Sequence, residues 1–469
     1  MNNNFLNGLS WSSLDIIGTK VLSLLVQLAL SRILVPDDFG LIAMISILIG
    51  FSELIIDGGL SQSLIRKKNA TKVDYSTVFI FNILIAIIIY LAVYFSAPSI
   101  ANFYFREELI NITRVYTLSI LINSFVVVNK SILLKKLRFD SMAKINIFSI
   151  VLGSIVGVGL AMANFGVWSI VFMRLTVSIV STILFLILER WRFIIFFDWS
   201  IFKYHFTFGY KVISTYITKA ISDDLYSVII GKFYNTSILG SYNRASVINK
   251  FGVIALGRTF SNVTYSFFNS DDYNENKIRI LITKINRFIL LIYFPVIIFA
   301  YFNASPIVFL ILGGNWSAVI PFFKILLLGS LFEPITYYFG SLINTFNKPN
   351  VVFKINFFVR IFSLFIALLF LNHIDVMLIS YSLSIIIISI LHMHYGGKLI
   401  KYDITSQLFD LQKEIYIVAL ILLFQTLFVS LTNYTEIKTM YLSFILTIVI
   451  MVFLTKIFNI NFNFFKQEF

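Results

Sequence analysis

The chain has 469 residues, of which 58% are hydrophobic and 13% are charged, whereas soluble domains carry about 25% charged residues. This composition excludes a soluble globular protein, and the absence of cysteine excludes disulfide bridges and thiolate metal sites. The net charge of +14 does not indicate nucleic-acid binding, because the basic residues form neither a soluble patch nor a binding motif. We expect no metal and no other cofactor.

Apolar stretches long enough to cross a bilayer recur along the whole chain, and the alternating segments typical of spanning β-strands are absent. We therefore predict an all-α polytopic membrane protein. The eighth span is the weakest, because asparagines and basic residues dilute its apolarity. In chain order, the fourteen predicted spans cover residues 13–34, 40–62, 76–97, 112–132, 143–163, 165–188, 207–230, 239–268, 283–303, 319–345, 352–371, 374–397, 415–432 and 437–456.

Loop charges predict the orientation of these spans. One set of alternate loops and the C-terminus carries 23 Lys and Arg residues, and the other set carries only 5. The five are Arg32, Arg106, Arg114, Lys232 and Lys438. Because Lys and Arg accumulate in cytoplasmic loops, we expect both termini to be cytoplasmic.

Nine cations fall inside the predicted spans: Lys20, Arg174, Lys211, Lys219, Arg244, Lys250, Arg258, Lys324 and Arg360. A charge near the bilayer centre costs about 2.5–3.5 kcal/mol on insertion scales, so such residues usually face a water-filled cavity or a partner. A membrane protein with many of them is expected to have a hydrated, cationic interior. This pattern favours a transporter of an anionic cargo.

Helical geometry selects the cations that we expect to bind substrate. Arg244 and Arg258 are fourteen residues apart and differ by about 40° around a helix, and Lys211 and Lys219 also share a face. With Lys20 on the first helix, they are the candidate cavity cations. The alternative for each is a snorkelling side chain or a structural ion pair. For Arg174, Lys324 and Arg360 we favour ordinary pairing between helices.

Intramembrane carboxylates are candidates for a coupling or an ion-pairing role: Asp57, Asp223, Asp224 and Glu333. A deep carboxylate can bind H⁺ or Na⁺, because burial favours its neutral or ion-paired form. A salt bridge that holds two helices together is the alternative for each. The two glycines after Asp57 predict a C-cap that ends the second helix.

The two halves of the chain resemble each other at an offset of about 200 residues. Phe39-Gly40 recurs as Leu239-Gly240, and the segment 144–146 (Lys-Ile-Asn) recurs at 354–356. We predict a lobe of helices 1–6 over residues 1–190, a lobe of helices 7–12 over 191–400, and two additional helices over 401–469. Because six is even, the lobes would be parallel repeats, with a cavity between them and transport by alternating access.

Several segments together carry a family resemblance: Gly8 to Ser12, Arg32 to Leu34 with Pro36 to Gly40, Asp57 to Leu60 with Leu64 to Lys68, Gly166 to Trp168, and Ile230 to Lys232 with Leu239 to Ala245. The chain resembles the Wzx-like polysaccharide flippases of the multidrug/oligosaccharidyl-lipid/polysaccharide superfamily over residues 8–400. The last two helices match in hydropathy alone.

The resemblance implies a function and a location. We expect a flippase, not an enzyme, that moves an undecaprenyl-pyrophosphate-linked oligosaccharide across the bacterial inner membrane for O-antigen, capsule or exopolysaccharide biosynthesis. Its partners would be this lipid-linked substrate, membrane lipids, a coupling ion and the polysaccharide polymerase machinery. The alternatives are a multidrug or small-solute antiporter, for which an acidic cavity is expected, and a membrane glycan polymerase or glycosyltransferase, for which a large outer loop or a carboxylate cluster is expected.

Overall fold

A computed structural model describes the backbone of residues 3–191, 193–268, 275–432 and 437–458. All regular elements in these ranges are helical, which confirms the predicted all-α class. Side chains are described for these ranges except residues 3–14, 16–17, 211–224, 437 and most of the segment 251–275. The chain divides into two compact units, Met1–Gly240 and Ser241–Phe469.

Ten helices and the start of an eleventh form the first unit. They are α1 (Asn3–Ile33), α2 (Pro36–Asp57), α3 (Leu60–Arg66), α4 (Lys72–Tyr104), α5 (Leu109–Tyr116), α6 (Leu118–Ser124), α7 (Val127–Lys135), α8 (Phe139–Met162), α9 (Val167–Leu188), α10 (Trp199–Phe233) and α11 (Thr236–Phe268).

The second unit contains the rest of α11 and the remaining helices. They are α12 (Glu275–Phe288), a π-helical turn (Ile289–Tyr293), α13 (Phe294–Phe302), α14 (Ala304–Leu312), a 3₁₀ turn (Gly314–Trp316), α15 (Val319–Ser330), α16 (Glu333–Thr345), α17 (Pro349–Leu369), α18 (Ile374–Leu399), α19 (Ile404–Asp410), α20 (Gln412–Leu431) and α21 (Ile437–Ile457).

Ten spans in the described part are long and apolar enough to cross a membrane, or eleven if the bent series α5–α7 is one span. The predicted total of fourteen also requires α1, α10 and α11, whose lengths of 31, 35 and 33 residues suffice for a crossing. That total remains a prediction. The lobe boundaries at residues 190 and 400 also remain predictions. They are the limits of a sequence repeat, whereas the two units are defined by how compactly the chain packs.

Small residues allow the helices of the first unit to pack closely. A Cβ atom on Gly157 of α8 would lie 2.7 Å from the Met173 Cβ of α9, and one on Gly153 would lie 3.0 Å from the Met173 carbonyl oxygen. Such close approach of small residues is a common basis of helix association in lipid. The two helices are therefore held at a distance that larger residues would not permit.

Serine hydroxyls connect the helices of the second unit. Ser382 of α18 donates to the Ile325 carbonyl oxygen of α15 at 2.8 Å, and Ser389 donates to the Phe332 carbonyl oxygen at 2.9 Å. Hydrogen bonds of this kind stabilise helix pairs in lipid by about 0.6 kcal/mol each. The serines of α18 thus add specificity to packing that has little hydrophobic driving force.

The second predicted span is broken at the two glycines that follow Asp57. Gly58 (φ 55°) caps α2 in the left-handed conformation, and its amide donates to the Leu54 carbonyl oxygen. Gly59 (φ 62°) has the same conformation and precedes α3. The predicted glycine C-cap is confirmed, and the break redirects the chain at the end of α2.

Candidate functional site

A charged cavity lies inside the helix bundle of the first unit. Its volume is 380 Å³, and α1, α2, α6, α7, α8 and α9 supply its walls. The lining residues are Thr19, Glu53, Ile56, Asp57, Ile120, Asn123, Ser124, Val127, Lys130, Asn146, Ser149, Ile150, Arg174, Val177, Ser178 and Ser181. Hydroxyls, amides and charges dominate this lining, so the cavity can hold water or an ion within an otherwise apolar bundle.

An ion pair joins two walls of the cavity. The Arg174 Nη2 of α9 lies 2.7 Å from the Glu53 Oε1 of α2, and the two side chains are 37% and 40% exposed. The pair therefore faces the cavity instead of being sealed between helices. The expectation that Arg174 pairs with another helix is confirmed, and its partner is Glu53.

A hydrogen bond joins α1 and α8 next to this cavity. The Asn146 Nδ2 donates to the Asp15 Oδ1 at 3.0 Å, and the Thr19 hydroxyl donates to the Asp15 backbone carbonyl oxygen. The amide compensates part of the cost of placing the carboxylate away from water. Asp15 is thus tied to α8.

Lys130 and Asp57 complete the charged lining. Lys130 of α7 is one of the 23 cations that the sequence assigns to cytoplasmic loops. The structure instead places it in the cavity wall, with its Nζ 5.3 Å from the centre of the Phe185 ring. Asp57, the last residue of α2, lines the same cavity. Of the two predicted coupling carboxylates whose side chains are described, Asp57 lines this cavity and Glu333 does not.

The predicted cavity cations are only partly described. Lys20 is exposed on α1 and is not among the residues that line the charged cavity. Arg244 of α11 is buried, with 7% exposure, and its Nη2 donates to the Asn243 Oδ1 at 3.0 Å. The side chains of Lys211, Lys219, Arg258, Asp223 and Asp224 lie outside the described residues, so their roles remain predictions.

Glu333 is the first residue of α16, in the second unit. A carboxylate in the first turn of a helix interacts favourably with the helix dipole. This position gives Glu333 a structural role that does not require a coupling ion. The predicted coupling role for Glu333 remains a prediction.

A close helix contact lies at the predicted outer ends of the first unit. A Cβ atom on Gly40 of α2 would overlap the Thr236 carbonyl oxygen and lie 2.6 Å from the carbonyl carbon. Reciprocally, a Cβ atom on Gly240 would overlap the Pro36 carbonyl oxygen and lie 2.8 Å from its carbonyl carbon. The two positions that the predicted repeat pairs are thus in mutual backbone contact.

Polar residues surround this glycine contact. The Arg106 Nη2 lies 3.1 Å from the Asp37 Oδ1 and also donates to the Thr236 hydroxyl, which in turn donates to Asp37. The Lys232 Nζ donates to the Phe103 carbonyl oxygen at 2.5 Å and lies 4.1 Å from the centre of the Phe105 ring. We call the residues Asp37, Gly40, Arg106, Thr236 and Gly240 the outer junction.

The chain is similar in sequence to proteins of polysaccharide biosynthesis. A family model described as "Polysaccharide biosynthesis protein" matches residues 29–321. The teichuronic acid biosynthesis protein TuaB of Bacillus subtilis (strain 168) is 25% identical over 306 residues, or 65% of this chain and 63% of TuaB. The lipopolysaccharide biosynthesis protein WzxC of Escherichia coli (strain K12) is 21% identical over 359 residues, or 75% of this chain and 72% of WzxC.

Two solved structures show the same fold. The inward closed conformation of the lipid II flippase MurJ aligns with a TM-score of 0.74 at 14% identity and covers 95% of this chain and 98% of MurJ. An inward-facing multidrug resistance MATE family transporter of the MOP superfamily aligns with a TM-score of 0.61 at 14% identity and covers 82% of this chain and 94% of the transporter. At this level of identity the likeness concerns the fold alone.

Proposed function

Because the chain belongs to the family of polysaccharide biosynthesis proteins, we propose that it is a flippase for a lipid-linked oligosaccharide. The substrate would be an undecaprenyl-pyrophosphate-linked oligosaccharide, which moves from the cytoplasmic to the outer leaflet of the bacterial inner membrane during O-antigen, capsule or exopolysaccharide biosynthesis. The observation that carries the proposal is the family match, joined to a MurJ-like fold along 95% of the chain.

The charges of the chain support an anionic cargo. A pyrophosphate brings about two negative charges that must cross a low-dielectric layer, where an unpaired charge is expensive. Cations on α1, α10 and α11 would offset this cost along a hydrated path. We assign the role to Lys20, Lys211, Lys219, Arg244 and Arg258, while the polyprenyl tail stays in lipid.

The outer junction supports a mechanism of alternating access. An outward exit for the cargo requires the contact between residues 36–40 and 236–240 to open. The pair of Asp37 and Arg106 is 38% and 35% exposed, and exposed ion pairs contribute only about 0–1 kcal/mol. Such a junction is closed by tight backbone packing and by polar contacts weak enough to break in every cycle.

We propose that Asp57 is the carboxylate that carries a coupling ion, H⁺ or Na⁺. It lines a cavity with the cations Lys130 and Arg174, of which Arg174 is already paired with Glu53. Binding of H⁺ or Na⁺ at Asp57 would change the charge of this cavity. Asp57→Asn is expected to abolish the dependence of export on the ion gradient while leaving the protein in the membrane.

A multidrug antiporter is the second candidate function, since the MATE family transporter shares the fold. The sequence relatives TuaB and WzxC, in contrast, are named for teichuronic acid and lipopolysaccharide biosynthesis. A flippase needs no catalytic residues, and we propose that this chain has no enzymatic activity. Contact with the polysaccharide polymerase machinery would place the flipped lipid next to its consumer.

Complementation tests the proposal. The chain is expressed in a bacterium that lacks its own glycan flippase, and surface polysaccharide is measured. The wild-type chain should restore export, and the variant with Lys211→Gln, Arg244→Gln and Arg258→Gln should not. The control Lys68→Gln removes an exposed loop cation and should export normally. Normal export by the triple variant, at wild-type protein levels, would contradict the cationic path.

A further inference from the structure

A second cavity lies between α3 and the start of α10. Its volume is 490 Å³, and Arg66, Ser200, Lys203, Tyr204 and Thr207 contribute to its lining. Among the residues whose side chains are described, this cavity and the charged cavity inside the bundle share none. Its lining combines two cations and hydroxyl groups with aromatic rings, which suits an anionic group that carries an apolar part.

Buried polar contacts fix the walls of this cavity. The imidazole of His205 in α10 is hydrogen-bonded through Nδ1 to the Ser63 hydroxyl of α3 at 2.7 Å and through Nε2 to the Asp74 Oδ1 of α4 at 3.0 Å. Both His205 and Asp74 have fully buried side chains. A Cβ atom on Gly209 would overlap the Gly58 carbonyl oxygen. The helices therefore have little freedom to separate, and the cavity is preformed.

The two cations at the cavity are available to a ligand. The Lys67 ammonium lies 2.5 Å from Asp74, whereas neither Arg66 nor Lys203 forms an ion pair within the described part of the chain. The Arg66 guanidinium lies 4.8 Å from the centre of the Phe208 ring, which orients it without neutralising it. A guanidinium and an ammonium beside hydroxyls are the groups that bind a phosphate.

The surroundings place the cavity at the membrane surface. Arg66 and Lys203 belong to the loops predicted to be cytoplasmic. The segment before α10 exposes Ile195 (88%) and Phe196 (52%), and the first residue of α10, Trp199, is 71% exposed. Exposed aromatic side chains beside basic residues are typical of the bilayer interface, and the cytoplasmic leaflet is rich in anionic lipids. A phosphate at this depth would therefore belong to a lipid head group.

We propose that the cavity binds the phosphate head group of an anionic phospholipid of the cytoplasmic leaflet. A phosphodiester carries one negative charge, which the two cations and the nearby hydroxyl of Ser200 suffice to hold. The acyl chains would lie against the exposed aromatic residues. The site is separate from the cations assigned to the cargo, so this inference does not rest on the proposed transport function.

Lipid retention during native mass spectrometry of the purified full chain tests the site. The wild type should retain phosphatidylglycerol in preference to phosphatidylcholine. Arg66→Gln/Lys203→Gln should retain it about tenfold less, because this variant loses both charge-assisted contacts that the cavity offers to the phosphate. The matched control Lys68→Gln/Lys72→Gln removes two exposed cations from the segment that follows Arg66 and should change retention less than twofold. Equal losses in both variants would overturn the proposal.

Competition distinguishes the possible sources of the phosphate. Inorganic phosphate at millimolar concentration should not displace phosphatidylglycerol, because it lacks the acyl chains. Undecaprenyl pyrophosphate should displace it no better than an equal amount of unlabelled phosphatidylglycerol. Preferential displacement by undecaprenyl pyrophosphate, or displacement by inorganic phosphate, would overturn the assignment to a phospholipid. If the double variant does not purify as a folded protein, Lys203→Gln alone should lower retention about threefold, and no loss would refute the site.

Discussion

Gly40→Ala is expected to force the outer junction open. The added Cβ atom would overlap the Thr236 carbonyl oxygen and lie 3.0 Å from the Thr236 Cα. Since the obstructing atoms are backbone, no side-chain rotation relieves the overlap, and the helices must move apart. Overpacking of this kind typically costs about 1–3 kcal/mol, which corresponds to a shift of roughly 5- to 150-fold toward the open junction.

Thiol accessibility measures this shift. The chain has no native cysteine, and Leu239 is fully buried beside the junction. A Leu239→Cys reporter should react slowly with a membrane-impermeant maleimide added from outside. When the reporter is combined with Gly40→Ala, it should react at least about fivefold faster, because about fivefold is the smallest expected shift toward the open junction.

The chain offers a matched control on the same helix. A Cβ atom on Gly50 of α2 would meet no atom within 4 Å, so Gly50→Ala should leave the labelling rate unchanged. Gly240→Ala, which meets the Pro36 backbone, should act like Gly40→Ala. Equal labelling rates for Gly40→Ala and Gly50→Ala would refute the reasoning that backbone contact closes the junction.

Three further predictions concern the first unit. Arg174→Gln should lower the free energy of unfolding by up to about 1 kcal/mol, since the ion pair of Arg174 and Glu53 is partly exposed. Adding Glu53→Gln should recover part of this loss. If the effects of the two substitutions are fully additive, the two side chains are not coupled. Burial lowers the pKa of His205 below its ordinary 6.5, although the hydrogen bond and the charge of Asp74 act to raise it. The unfolded chain therefore binds the proton more tightly than the folded chain does. As a result, the free energy of unfolding falls as the pH drops below about 6.5. His205→Gln should flatten this trend in melting scans between pH 7.5 and 5.5, and an unchanged slope would contradict it. Asn69→Cys should label only from the cytoplasm and Asn235→Cys only from outside, and the reverse pattern would overturn the orientation.

Local signals in the sequence predicted local features well. The two glycines after Asp57 indicated a C-cap, and Gly58 is in the left-handed conformation at the end of α2. This succeeds because glycine's freedom at positive φ is a property of one residue. The start of the eighth span also agrees, since the predicted boundary at residue 239 falls within the first turn of α11.

Features that depend on tertiary packing were not predictable. The fourth predicted span is three short helices, α5 to α7, and no proline or glycine marks its breaks after Tyr116 and Ser124. Charge counting assigns Lys130 to a loop, because it treats basic residues near the end of a span as lying outside the span. The structure places Lys130 in the cavity wall. The asparagine that binds Asp15 is 131 residues away in sequence, a distance at which periodicity carries no information.

The predicted repeat shows where local sequence signals end and tertiary packing begins to matter. Similarity between Phe39-Gly40 and Leu239-Gly240 indicated equivalent positions, and the structure adds that Gly40 and Gly240 approach each other's helix start. Sequence similarity identifies equivalence and not contact. A signal for the contact was nevertheless present, because glycine at both equivalent positions is typical of close backbone approach.

Lipid translocation by the purified protein tests the central claim most directly. The chain is reconstituted into vesicles with a labelled undecaprenyl-pyrophosphate-linked oligosaccharide, and the label accessible to an impermeant enzyme is followed over time. We predict that vesicles with the wild-type chain translocate this lipid at least tenfold faster than empty vesicles, and that the variant with Lys211→Gln, Arg244→Gln and Arg258→Gln does not. Translocation no faster than in empty vesicles, or equal translocation of a neutral polyprenyl glycoside, would contradict a flippase for a pyrophosphate-linked cargo.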